Sequence, residues 1–188
     1  MLARLLSATL LLTFAVSPSA TAQTPTANAQ ATAAKAQTTA ANGVITAAEA
    51  GKLLPPSVYF RGQSAPIQAR NSGGIRFSPE ALVLVALVDT SGYSTAVAQK
   101  YQAYLITEST LDLPGHHLAP GAYGIGFLPG NTLIIMDIGG HDLFNVTTTA
   151  DPTLKRPTPL QILPEPNNPK AFRLYAGRTY LPITQSKP

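Results

Sequence analysis

All three histidines of the chain fall in two short stretches, GHHLAPGAYGIGF (115–127) and MDIGGHD (136–142). Imidazole suits both proton transfer near neutral pH and metal ligation, so His116, His117 and His141 are the first residues to weigh for chemistry. His117 and His141 with Asp137 or Asp142 would form a two-nitrogen, one-carboxylate set suited to zinc or iron(II). Such a set would make the protein a metal-dependent or other hydrolase. Two features oppose it. His116 and His117 are adjacent, so in an extended chain they point to opposite sides and only one can easily join His141. No H-x-H or H-E-x-x-H spacing occurs, and the chain has no cysteine, so thiolate catalysis and thiolate metal sites are excluded. The metal set therefore stands as the alternative reading; the leading one invokes no cofactor.

A second constellation lies in FRLYAGRTYLPI (172–183). With Ala176 and Gly177 as a two-residue turn, Tyr175 stands opposite Arg178 and Arg173 opposite Tyr180. The four share one face, and Phe172, Leu174, Thr179 and Leu181 share the other. Cross-strand pairs of this kind contribute roughly 0.2–1 kcal/mol each, and exposed cation–π stacking about 0.5–1 kcal/mol. Such a face either stabilises itself in solvent or forms a platform for an anionic or glycan ligand. Arg173, Tyr175, Arg178 and Tyr180 are accordingly the ligand-binding candidates. Asp89-Thr90-Ser91-Gly92 resembles the Asp-Thr-Gly turn of aspartic proteases with one residue inserted, and IIMDIGG (134–140) offers a second Asp-x-Gly. That chemistry needs two carboxylates about 3 Å apart sharing a proton. The inserted Ser91 redirects the side chain, and an Asx-turn leaving a strand is the expectation. In AYGIGF (122–127), Gly124 and Gly126 leave one strand face bare, which marks a barrel corner or the close approach of a ring, backbone or stacked ligand. Asn145-Val146-Thr147 matches the glycosylation acceptor pattern.

The elements that position these residues read as β-structure. Arg4, the apolar run 5–16 and Ala20-Thr21-Ala22 form a secretory signal peptide over 1–22, too short in its apolar part to anchor in a bilayer. Residues 23–42, rich in Ala, Thr and Gln, lack the apolar surface to order themselves and read as a disordered tether. A single domain follows over 43–188. Thr46-Ala47-Ala48-Glu49 is a capping box opening a helix from Ala47 to about Leu54, stopped by Pro55-Pro56. From there the period is two: strands at 57–61, 65–70, 74–77, 81–88, 102–108, 122–128, 131–138, 142–148, 159–163, 171–175 and 178–183, with a turn at Asn71-Ser72-Gly73-Gly74. ALVLVALV (81–88) is apolar on both faces and reads as a buried central strand. Val83, Val85, Leu87, Ile134 and Met136 are the expected central core. Roughly ten short strands behind one short helix indicate an antiparallel β-sandwich or a small β-barrel.

The formal charge is +4, and loss of the first 22 residues leaves +3. Charged residues are 12% of the chain with no Lys/Arg run, which excludes an electrostatic nucleic-acid binder. No second apolar stretch is long enough to span a membrane. The leading expectation is an exported, non-catalytic β-domain, periplasmic or extracellular, binding a protein, glycan or small ligand at the bacterial cell envelope. A structural or assembly component of the envelope is a further alternative.

Overall fold

The run Ala81–Val88 is buried along both of its faces, and this sets the layering of the molecule. An antiparallel strand with one wet face alternates apolar and polar residues; a run apolar at every position belongs between two covers. The computed structural model describes residues 43–187, so the expected signal peptide and tether lie outside the described residues.

Two antiparallel sheets pack face to face. The large, eight-stranded sheet holds β1 (Gly43–Ile45), β2 (Ser57–Phe60), β3 (Gln63–Ser78), β4 (Ala81–Val88), β5 (Ala103–Thr107), β8 (Gly121–Leu128), β9 (Thr132–Met136) and β10 (Asp142–Thr147). Its order is β1-β3-β4-β5-β8-β9-β10, with β2 pairing β3. The small, six-stranded sheet holds β6 (Leu111–Leu113), β7 (His116–Leu118), β11 (Thr149–Ala150), β12 (Gln161–Glu165), β13 (Asn168–Ala176) and β14 (Thr179–Gln185). Its order is β12-β13-β14-β6-β7, with β11 pairing β14. Two short helices, α1 (Ala47–Leu53) and α2 (Thr95–Lys100), complete the described elements. Neither sheet closes on itself, so the fold is a sandwich and not a barrel.

The main core lies between the sheets. Ile75, Val83, Val85, Leu105, Ile125 and Ile135 meet Leu111, Ile162, Phe172, Leu174, Leu181 and Ile183. The back of the large sheet is covered as well. Leu84 and Ala86 pack under β1 and α1 with Ile45, Ala50 and Leu54. Tyr104, Ile134 and Met136 pack with Val58 and Phe60 of β2, Ala65 of β3 and Tyr101 just after α2. Of the expected core, Val83 and Val85 enter the main core and Leu87 packs half-buried at its margin, while Ile134 and Met136 face the opposite way, into this second core.

The capping box forms as read: Glu49 N–H donates to Thr46 Oγ1 at 3.4 Å and Thr46 N–H to Glu49 Oε2 at 3.0 Å. Three expectations change. Asn71-Ser72-Gly73-Gly74 is not a turn; β3 runs through it with a bulge, its register against β4 shifting between Ile67 and Ser72. Gly74 is needed for close packing, because a Cβ there would press on the Val83 carbonyl and Leu84. The glycines of AYGIGF do not mark a barrel corner. A Cβ on Gly124 would strike the Phe60 ring, and one on Gly126 the Lys100 carbonyl at the end of α2. They are where the outer cover sits closest to the sheet. Finally, residues 116–118, which lie outside every strand that the period of two predicts, form the short strand β7.

Candidate functional site: the outer face of the small sheet

The β13–β14 hairpin turns at Gly177-Arg178 and not at Ala176-Gly177. Ala176 pairs with Thr179 and Tyr175 with Tyr180. Gly177 has φ of 60°, the positive value a type II′ turn requires at its first central position, where glycine enters without steric cost. The shift by one residue corrects the expected face. Arg173, Tyr175 and Tyr180 share it, but Arg178 sits in the turn. Its Nη1 donates to the carbonyls of Pro152 at 2.9 Å and Leu154. Gly177 N–H donates to the Thr158 carbonyl and Asp151 N–H to that of Arg178. Arg178 is thus a latch that holds the segment after β11 over the upper end of the face, and Tyr175 beneath it is 1% exposed.

Arg173 is the centre of the remaining group. Its Nε and Nη2 donate to the two Glu165 oxygens at 2.6 and 2.5 Å. Its Nη1 donates to Tyr175 Oη at 3.3 Å and lies 3.8 Å from Asp151 Oδ2. Tyr175 passes its own proton toward Asp151 Oδ2 at 2.8 Å. The guanidinium carbon stands 4.5 Å from the centroid of the Tyr180 ring. Glu165 above all, then Tyr175, raises the Arg173 pKa above its ordinary value. The Thr153 hydroxyl and then Tyr175 hold the Asp151 carboxyl below the usual carboxylate range. Charge-assisted, bidentate pairs of this kind are strong and directional. Glu165 therefore occupies the place an anionic ligand would take on Arg173. What the group presents outward is a rigid surface: the Tyr180 ring backed by the guanidinium, with Leu163 and Pro182 on either side of Arg173.

The histidines separate. His116 stacks on Phe144 with ring centroids 4.3 Å apart and planes within 7°, bringing edge strands β7 and β10 together. His117 points the other way, as adjacent strand residues must, and its Nδ1 donates to Asp112 Oδ1 at 2.6 Å. The Ser186 hydroxyl and His117 together hold the Asp112 carboxyl below its ordinary range. His141 follows β9, and its backbone N–H and Nδ1 both donate to Asp137, each at 2.9 Å. These bonds lower the Asp137 pKa. Asp142 pairs with Lys100. Of the metal set His117, His141 and Asp137, the structure brings together only the last two; His117 is held by Asp112 of the other sheet. Among the described residues no group of three or more His, Cys, Asp or Glu side chains is placed to hold a metal ion. Asp89 accepts the Ser91 N–H at 3.0 Å, the expected Asx-turn.

The registers join two features that the sequence shows far apart. His117, Asp112, Thr184 and Ala171 form one row across β7, β6, β14 and β13. Pro182, Arg173 and Leu163 form the next. The Asp112–His117 pair and the Arg173–Tyr180 pair thus share the outer face of one sheet. Where these rows reach the end of the sandwich, a cleft of about 670 Å³ opens, lined among others by Phe77, Asp112, Lys170, Thr184, Ser186 and Lys187. The residue types Asp, Lys and Ser at these positions carry no motif, so the cleft is visible only once β6 and β14 are paired.

No protein family, curated protein or solved structure matches this chain.

Proposed function

We propose that the protein is an exported, non-catalytic binding domain of the bacterial cell envelope that holds its partner on the outer face of the small sheet. The observation that carries this reading is the asymmetry of the sandwich. The back of the large sheet is covered by α1, α2 and the β2–β3 hairpin. The outer face of the small sheet below Tyr175 instead presents partly exposed Leu163, Arg173, Tyr180, Pro182 and Thr184. Aromatic rings and arginines on a rigid support are the residue types that anchor interfaces. Arg173, fixed by Glu165 and lying over Tyr180, is ordered before any partner arrives, which lowers the entropic cost of binding. The apolar run 5–16 and Ala20-Thr21-Ala22 support export.

The test is co-sedimentation of the purified protein with isolated bacterial envelope. The protein is expected in the pellet. The variant Leu163→Asp/Tyr180→Asp, with both changes on partly exposed positions, is expected in the supernatant while still melting cooperatively. Wild-type protein left in the supernatant, or a folded variant that pellets equally well, overturns the proposal. One observation supports the hydrolase alternative. Asp137 fixes Nδ1 of His141, whose side chain is 81% exposed, so its Nε2 faces solvent in the orientation a general base needs. Turnover of an activated ester that His141→Ala abolishes would favour that alternative.

A further inference from the structure

The cleft at the end of the small sheet has a mixed lining that narrows what it can hold. Phe77 enters from β3 of the large sheet and packs edge-on against Phe172, ring centroids 5.6 Å apart. It gives the cleft an apolar wall. Thr184 and Ser186 contribute hydroxyls, and Asn168 and Gln185 contribute side-chain amides, all able to donate and accept. Lys170 and Lys187 bring two ammonium groups, neither in an ion pair among the described residues. Asp112 is the one acidic side chain in the lining, and His117 already engages its carboxylate.

We propose that this cleft binds an acidic saccharide, a sugar ring bearing a carboxylate. This rests on the binding-domain reading above and names the ligand class for the lower end of the same face. Each part of the lining has a counterpart on such a ligand. The two ammoniums meet the carboxylate. The amides, hydroxyls and the remaining lone pairs of Asp112 meet sugar hydroxyls, which donate as well as accept. The Phe77 edge meets the C–H face of the ring. A bare phosphate concentrates its negative charge on one small group and has no apolar face, so it would set like charge against Asp112 and leave Phe77 without a partner. A neutral sugar would leave both lysines unmatched. The volume is that of a small-molecule site, and its open, wet character fits weak binding by a repeating polymer rather than tight capture of one molecule.

The experiment is an NMR titration of the purified chain with trigalacturonate, with maltotriose and inorganic phosphate as comparison arms, each to about 10 mM. Trigalacturonate is expected to shift the amides of Asn168, Lys170 and residues 184–187. Raising NaCl from about 50 to about 500 mM is expected to weaken binding severalfold, because exposed charge pairs are screened. Lys170→Gln/Lys187→Gln, both exposed positions, is expected to weaken it at least about tenfold with the spectrum otherwise unchanged. Absence of shifts with trigalacturonate, equal binding of maltotriose, equal binding of phosphate, or a double variant that binds normally each overturns the assignment. Saccharide shifts confined to the amides of Leu163, Arg173 and Tyr180 overturn the cleft while leaving the outer face as the binding surface.

Discussion

Tyr101 shows how a single polar atom bears on this fold. Its ring is fully buried and stacked on Phe60 at 3.8 Å, yet its hydroxyl has no hydrogen-bond partner among the described residues. Burial raises its pKa well above that of an ordinary tyrosine. An unsatisfied buried hydroxyl costs about 1–3 kcal/mol. Tyr101→Phe removes it while keeping the ring, so a gain of about 1 kcal/mol is expected, a rise of roughly 2–4 °C in Tm for a domain of this size. A lower Tm would show that the hydroxyl is satisfied. The carboxylates make an opposite contribution. Asp112, Asp137 and Asp151 all have folded pKa values below their ordinary ones, held there by neighbouring hydroxyl and histidine donors and, in Asp137 and Asp151, by a backbone N–H. A depressed folded pKa adds stability that is fully present above the unfolded value and lost as pH falls through the folded one. Denaturant midpoints should therefore decline below about pH 4, and Asp151→Asn should flatten part of that decline. An unchanged profile would mean that the Asp151 contacts do not persist in solution.

Gly126 illustrates what an element asks of its neighbour. A Cβ there meets the Lys100 carbonyl at the end of α2, and backbone gives way poorly. Overpacking of this kind costs about 1–3 kcal/mol and occasionally more. Gly126→Ala should lie at the upper end of that range in chemical denaturation, whereas Gly43→Ala, facing open space, should be near neutral. Equal effects would mean that α2 shifts aside. Most long strands were legible in the sequence because their alternation, or their two-sided apolarity, is a local signal. Strands β1, β6, β7 and β11 were not, because two or three residues cannot display a period of two. The six residues of α2 hold less than two helical turns. Gly73-Gly74 misled because a glycine that admits a neighbouring backbone looks, in sequence, like one that turns the chain. The hairpin register was missed by one residue, since only the φ demand at Gly177 decides between the two turns. The candidate face was legible in part: Arg173, Tyr175 and Tyr180 were found from spacing, but their partners Asp151 and Glu165 come from other strands and loops.

The three-layer arrangement makes a test at the scale of the molecule. In a simple two-layer sandwich, alternate residues of a central strand tolerate charge. Here Val85 faces the main core and Leu84 the covered back. Either Val85→Asp or Leu84→Asp places an unpaired charge in apolar surroundings, at a cost of several kcal/mol, against a total stability of about 5–15 kcal/mol. Both variants should fail to yield soluble folded protein. A stable, soluble Leu84→Asp would mean that α1 and β1 are loosely held. The connectivity of the small sheet bears on the timing of assembly. β14 binds β13 along one edge and both β6 and β11 along the other. Among the described residues, the β6–β7 hairpin is hydrogen-bonded to the rest of its sheet through β14 alone. For a chain threaded N-terminus first through a translocation channel, as the proposed export requires, the small sheet cannot close until its last strand has emerged. Closure between such distant segments is intrinsically slow, so on that route the small sheet would close only on the far side of the membrane, after β14 has emerged.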